Sequence, residues 1–272
     1  MRIAALVDIH GNAPAFEAAL DQIAKQRVDQ IVIVGDIVLG APDDVACWNL
    51  ARDLGCPLVR GNADRYLAHY STPEADPRWT TEQFGPLQWS VRQFSDEQRR
   101  QIGALPLTCR LAGVPDLLFC HSSPRSDMDE MRVYTPAAEL EAIFADVPER
   151  IIVRGHNHNP EVRLWEDRTI ITCGSVGAPI DGNPGAQYLL LEQRGNDWHI
   201  EHQRVPYDLD ATLCRFEESG YLEAAGPIGR LMARSVATST AQLVPFLRYY
   251  KRWSQESDIT LAEAVEKFSR LY

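Results

Sequence analysis

The chain alternates between short continuous apolar runs and longer stretches with apolar residues at helical spacing. "RIAALVD" (2–8), "QIVIVGD" (30–36) and "CPLVRGN" (56–62) are of the first kind. Each predicts a strand buried on both faces that runs out into a polar loop. Between them, 13–26 puts Phe16, Ala19, Leu20 and Ile23 on one side of a helix, with Pro14 tolerated in the first turn. Residues 43–54 repeat the amphipathic pattern. Strands alternating with helices predict βαβ units and a buried parallel sheet.

From about 64 to 104 the pattern turns helical and polar, and Ser95 with Gln98 has the spacing of a capping box. Residues 108–113 and 116–124 read as a strand pair around Val114-Pro115, 136–146 as a helix and 150–158 as a strand. Residues 161–177 predict a hairpin over Asp167, and 186–205 another turning at Gly195-Asn196. From about 208 the chain is helical, with amphipathic spacing such as Leu261, Val265 and Phe268. The expected organisation is a catalytic unit over 1–205 carrying a helical insert (64–104). A helical extension (206–272) follows, either capping a sheet edge or forming a homodimer.

Composition narrows the function classes. Of 272 residues, 45% are hydrophobic and 24% charged, the balance of a soluble globular protein. No apolar run reaches membrane-spanning length, and the N-terminus turns polar too early for a signal peptide, so the expected setting is cytoplasmic, without a membrane. The six cysteines form no CxxC pair and read as reduced thiols, not a disulfide framework. The net charge of −11 argues against a protein that coats nucleic acid generally. A small anionic substrate remains compatible, because bound cations would set the local field.

The chemistry-bearing residues stand in five loops, each after an apolar run. "VDIHGN" offers Asp8 and His10, "VGDIV" Asp36, "RGNAD" Asn62, "FCHSSP" His121, and "RGHNHNP" His156 and His158. Loops at the carboxyl ends of parallel strands are where open α/β sheets build sites. Imidazoles, carboxylates and one amide oxygen are the donors a pair of divalent metals takes. Asp36 has two oxygens with which to bridge two ions, and Asn62 adds a donor without adding charge. Individually Asp8 could be a helix cap, Asn62 a turn residue and His121 a core histidine; together these accidents are hard to credit.

In this order, Asp8-x-His10, Gly35-Asp36, Gly61-Asn62-x-Asp64, His121 and Gly155-His156-x-His158 resemble the motifs of the calcineurin-like metallophosphoesterases, in particular the small prokaryotic phosphodiesterase branch. "TCGSVG" (172–177) resembles a further motif of that branch. The resemblance covers about residues 1–205. It implies a four-layer α/β/β/α sandwich with a helical C-terminal extension outside the pattern. It also implies two divalent ions, one held by Asp8, His10, Asp36 and His158, the other by Asp36, Asn62, His121 and His156. Manganese, iron, zinc, nickel and magnesium all suit such donors, and manganese is favoured.

Such a centre implies hydrolysis of phosphodiester or phosphoanhydride bonds in nucleotide-like substrates. The attacking water would sit between ions ~3.5–4 Å apart, with Asp36, Asn62 and His121 central to catalysis. One position departs from the family. Much of it has a histidine after the Gly-Asn of the third motif, held to protonate the leaving group; here that position is Ala63. General acid catalysis supplies ~10²–10⁴-fold, so good leaving groups are expected. Candidate substrate contacts are Arg125, as a phosphate clamp, Tyr134 in the loop 122–136, and Asp64, whose alternative is a salt bridge to an arginine. Tyr66, His69, Tyr70 and Trp79 of the insert could stack a base or form core. The alternatives are a phosphomonoesterase, a protein-binding scaffold of the same fold, and a metal-dependent amidohydrolase, which would put His-x-His on its first strand.

Overall fold

A computed structural model describes residues 1–195 and 197–271. The strands among them are β1 (Arg2–Leu6), β2 (Gln30–Val34), β3 (Leu58–Val59), β4 (Thr108–Cys109), β5 (Leu117–Cys120), β6 (Ile151–Arg154), β7 (Glu161–Trp165), β8 (Arg168–Thr172), β9 (Ala186–Arg194) and β10 (Asp197–Val205). They form two five-stranded sheets, ordered β10-β9-β1-β2-β3 and β4-β5-β6-β8-β7. Strands β1, β2 and β3 run parallel, as do β5, β6 and β8, and the hairpin partners join antiparallel. Strands β9 and β10 pair antiparallel, and the turn expected at Gly195-Asn196 includes Asn196, which lies outside the described residues.

Period-two side-chain placement explains why β1 is apolar throughout. Ala4 and Leu6 face one way, into a core with Phe16 of α1 (Ala13–Lys25) and Trp48 of α2 (Asp44–Asp53). Ile3, Ala5 and Val7 face the other way, meeting Phe119, Val153 and Ile171 of the second sheet. Beyond that sheet, Leu118 and Ile152 pack on Leu140, Ile143 and Phe144, where α6 (Ala137–Phe144) lies. The layers are therefore helix, sheet, sheet, helix, a four-layer α/β/β/α sandwich.

The insert holds α3 (Asn62–His69), α4 (Gly85–Gln93) and α5 (Asp96–Gly103). The capping box before α5 forms as the spacing predicts: Gln98 N–H donates to Ser95 Oγ at 3.2 Å, and Ser95 N–H to Gln98 Oε1 at 3.0 Å. The run expected as a strand over 56–62 is strand only at Leu58–Val59. Asn62 already stands in the first turn of α3, because the Asp64 carboxylate accepts the Gly61 N–H and fixes the helix start.

The C-terminal helices are α7 (Leu209–Glu218), α8 (Tyr221–Ala224), α9 (Gly226–Thr238), α10 (Leu243–Glu256) and α11 (Leu261–Leu271). The last three have a core of their own, with Ile228, Phe246, Trp253 and Phe268. The extension packs on the helical layer outside the first sheet, α7 against α1 and α9 against α4. That replaces the expectation of a capped sheet edge, because the apolar faces of α7–α9 meet other helices. Among the described residues no helix is long and apolar enough to cross a membrane.

Candidate metal centre

The loops after β1 and β2 lie side by side, with Asp8 N–H donating to Gly35 O at 3.1 Å and His10 N–H to Asp36 O at 2.9 Å. This sets Asp8 and Asp36 next to each other at the strand ends. Each carboxylate is anchored by one oxygen and turns the other toward the histidines. Asp8 Oδ2 accepts from His156 N–H at 3.0 Å, while Asp8 Oδ1 is buried with no hydrogen-bond partner. Asp36 Oδ1 accepts from Ala63 N–H at 2.8 Å, while Oδ2 lies 3.6 Å from His10 Nε2 and 3.4 Å from His121 Nε2.

Around these carboxylates stand two groups of donors. In the first, His10 Nδ1 faces Leu39 O at 2.6 Å and His158 Nδ1 faces Ala178 O at 2.7 Å. Each Nδ1 therefore carries the ring proton, and each Nε2 a lone pair. Those two Nε2 atoms lie 3.0 Å apart with no hydrogen between them. Asp8 Oδ1 is 3.9 Å from one and 3.8 Å from the other. In the second group, Asn62 Oδ1 is 2.9 Å from His156 Nδ1 and 3.2 Å from His121 Nε2. His121 Nδ1 is turned back to Val34 O at 3.0 Å. Turned over, the Asn62 amide would instead donate to both rings, with its oxygen 3.1 Å from Ala63 N–H. A cation would favour the oxygen-inward orientation.

These donors fit divalent ions. Two ligand atoms, each ~2.1 Å from one ion and 90–110° apart around it, stand about 3.0–3.4 Å from each other. The His10–His158, His121–Asn62 and His121–Asp36 separations fall in that range. Asp8, His10 and His158, and Asp8, Asp36 and His121, each bring three possible ligand atoms within 4.8 Å of one another. The orphaned Asp8 Oδ1 is the atom a cation would satisfy.

The electrostatics describe a site short of positive charge. Burial pushes the Asp8 carboxyl up to about 6, against the pull of His121. Burial would also raise Asp36, but His121 and then His10 hold it below the usual carboxylate range. Burial would lower His121, yet Asp36, Asp8 and the Val34 carbonyl together lift the ring to about 9. Burial and the nearby His121 push His156 down to about 3. Burial also lowers His10 and His158, so these three rings keep their lone pairs at neutral pH.

The backbone is strained where the donors sit. Ten non-glycine residues among those described have positive φ, and five are Asp8, His10, Asp36, His156 and His158. Leu39, whose carbonyl orients His10, is a sixth. Each such residue costs of order 1–3 kcal/mol, and clusters of them mark sites held in place by their surroundings. Gly61 answers a further constraint: a Cβ there would lie 2.1 Å from Asp36 Oδ1.

The structure brings all seven residues of the sequence reading together, and treats the three candidate substrate residues differently. Asp64 is fully buried and, among the described residues, pairs with no arginine. Its carboxylate accepts from Gly61 N–H and Asp36 N–H at 2.9 Å and from Ile37 N–H at 3.0 Å, so it supports the Asp36 loop from beneath. Arg125 is bound to its own loop, donating to Asp129 Oδ2 at 2.8 Å, and is not aimed at the histidines. Tyr134 stands 80% exposed. Their nearness to His121 in sequence is undone by the loop, which folds on Ser123 and Asp129. The 122–136 loop still borders the site through Glu130, whose Oε1 is 3.9 Å from His156 Nε2.

One helical turn beyond Asn62, α3 opens on a cavity of about 460 Å³. Arg65 and Tyr66, at i+3 and i+4, share the helix face of Asn62. The Tyr66 ring lies 5.1 Å from that of Trp79, and Arg65 stacks over Tyr66 at 5.0 Å while gripping Asp127 at 2.7 and 2.9 Å. Trp79 is buried, and Phe84, Pro77, Glu74 and the Asp76–Arg78 ion pair line the rest of the wall.

The chain belongs to the calcineurin-like phosphoesterase superfamily, whose domain model matches residues 1–196. It is 29% identical over 226 residues to an uncharacterised protein of Methanocaldococcus jannaschii, covering 76% of this chain and 88% of that one. A metallophosphoesterase from Sphaerobacter thermophilus superposes with a TM-score of 0.68 at 25% identity, over 88% of this chain and 100% of that one. A hypothetical protein from Pyrococcus horikoshii shares the fold, with a TM-score of 0.68 at 20% identity over 86% and 97% of the two chains. Both structural matches cover more of the chain than the family model does, so they run past residue 196.

Proposed function

We propose that the protein is a two-metal hydrolase of phosphodiester or phosphoanhydride bonds in nucleotide-like substrates. The observation that carries this reading is the pair of facing lone pairs on His10 and His158 beside the orphaned Asp8 oxygen. Asp8, His10, Asp36 and His158 would hold one ion, and Asp36, Asn62, His121 and His156 the other. Bound there, the cations supply Lewis acidity: they lower the pKa of a water and offset charge on the phosphate. Asp36, whose Oδ2 lies between His10 and His121, would be common to both stations.

The protein's own groups set the rest. Asp64 keeps the Asp36 backbone fixed, so the two ligand groups hold their relation during turnover. Ala63 offers no proton to a leaving group, which favours substrates whose leaving groups depart as stable anions. The cavity walled by Tyr66 and Trp79 is large enough for a nucleobase. A cytoplasmic setting agrees with six free thiols.

The test begins with protein purified without chelator. Elemental analysis is expected to find about two divalent ions per chain. Bis-p-nitrophenyl phosphate, with manganese added, is expected to be hydrolysed faster than a dialkyl diester or p-nitrophenyl phosphate. His121→Ala is expected to lower diester turnover by about 10²-fold or more. Turnover of the monoester alone would make the protein a phosphatase. Absence of both metal and hydrolysis would favour the scaffold reading.

A further inference from the structure

The family model stops at residue 196, yet the helices after it reach the loops that orient two of the seven candidate ligands. Residues 39–41 hold His10 from three sides. Leu39 O faces its Nδ1 at 2.6 Å, and Ala41 N–H donates to its backbone oxygen at 2.7 Å. Gly40 packs so closely that a Cβ there would lie 2.7 Å from the His10 Cβ. This segment is fixed in turn by the C-terminal helices. Tyr221 of α8 donates its hydroxyl to Gly40 O at 2.7 Å, and Arg215 of α7 pairs with Asp43 at 3.0 Å. Ala41 is buried in a cluster with Phe216, Tyr221, Ala225 and Val236.

His158 is served by a second strut. Its Nδ1 faces Ala178 O. The preceding residue, Gly177, gives its carbonyl to Asn12 Nδ2 at 2.9 Å, and Asn12 Oδ1 accepts from the Thr212 hydroxyl of α7 at 3.0 Å. Tyr221 and Thr212 are fully or almost fully buried, so these bonds are shielded from competing water. His121 is held otherwise, by Val34 O of β2, an interior strand of the first sheet.

We infer that α7 and α8 are positioning elements for one of the two ion stations. Through Tyr221–Gly40 and Thr212–Asn12–Gly177 they set the aim of His10 and His158, and the station of Asn62, His121 and His156 does not depend on them. This rests on the two-metal reading above. A ligand ring left free to swing loses preorganisation, and partners that orient metal-binding histidines are worth 10–100-fold in affinity.

The experiment titrates metal-free full-length protein with Mn²⁺, read by electron paramagnetic resonance and calorimetry. Wild type is compared with Tyr221→Phe and with Tyr221→Phe combined with Thr212→Val. Phe246→Leu, in the separate core of α9–α11, controls for loss of stability. The expected result is one equivalent weakened about ten-fold in Tyr221→Phe and more in the double variant, with the other equivalent unchanged. The control should lower the melting temperature and leave both affinities alone. Equal weakening of both equivalents, or lower melting temperatures with both affinities intact, would overturn the inference while leaving the two-metal reading standing. Wild type that takes up no Mn²⁺ would overturn both.

Discussion

His10 and His121 stand on either side of Asp36, with their Nε2 atoms 3.6 and 3.4 Å from its Oδ2, yet different parts of the molecule hold them. His121 leaves the end of β5 and leans on a carbonyl of β2, so two parallel strands of facing sheets fix it. His10 leans on Leu39, a loop residue with positive φ, and the loop is tied down by helices almost two hundred residues away in sequence. A half built on strands inherits the rigidity of two packed sheets. A half built on loops has only the rigidity that neighbouring elements lend it. A chain with the complete motif set could thus bind metal well at one station and poorly at the other.

The largest effect should come from removing what the halves share. Asp36→Asn keeps the shape of the side chain and an oxygen for Ala63 N–H, but loses the charge between His10 and His121. Metal content after desalting is expected to fall below one ion per chain, and diester turnover by about 10³-fold. A variant retaining both ions would break the idea that the halves meet at this carboxylate.

A smaller effect should sharpen the strand-built half. Asp64→Asn replaces a carboxylate that accepts four backbone N–H groups with an amide that has one oxygen and two donors. Leaving buried N–H groups unpaired costs ~1–3 kcal/mol each. Thermal melting of the metal-free protein is therefore expected about 5 °C or more below wild type. An unchanged melting temperature would mean that the Asp36 loop is held by something other than Asp64.

How far the sequence foretold this arrangement follows from distance along the chain. The seven donors were legible because each follows an apolar run, and a strand end is a local pattern. Strand against helix was likewise local, though the strands expected over 56–62 and 108–113 are two residues each, the first cut short by the start of α3 at Asn62. What the sequence concealed was which polar residues serve the backbone and which face the cleft. Asp64 sits in a motif with a candidate ligand yet turns beneath it, and Arg125 sits close in sequence to the candidate ligand His121 yet closes its own loop. Tyr221 carried no signal, since an aromatic on a short helix is ordinary core until the fold sets its hydroxyl on Gly40.

The loop-built half has a third support, and it titrates. Asp44, at the start of α2, accepts Leu39 N–H at 2.7 Å and the hydroxyl of Ser90 in α4. Burial pushes its carboxyl up to about 7, from a usual value near 3.8. Between those values the folded protein keeps a proton that the unfolded chain releases. The stability Asp44 contributes is thus greatest below pH ~4 and is lost as the pH rises to ~7. Asp44→Asn keeps a neutral acceptor for Leu39 and removes this slope. In denaturant titrations of the metal-free protein, the variant should gain on wild type by about 1 kcal/mol or more between pH 5 and pH 8. Parallel stability curves would mean that Asp44 stays ionised in its buried place. The Leu39 carbonyl, and with it the aim of His10, would then rest on a charge that does not vary with pH.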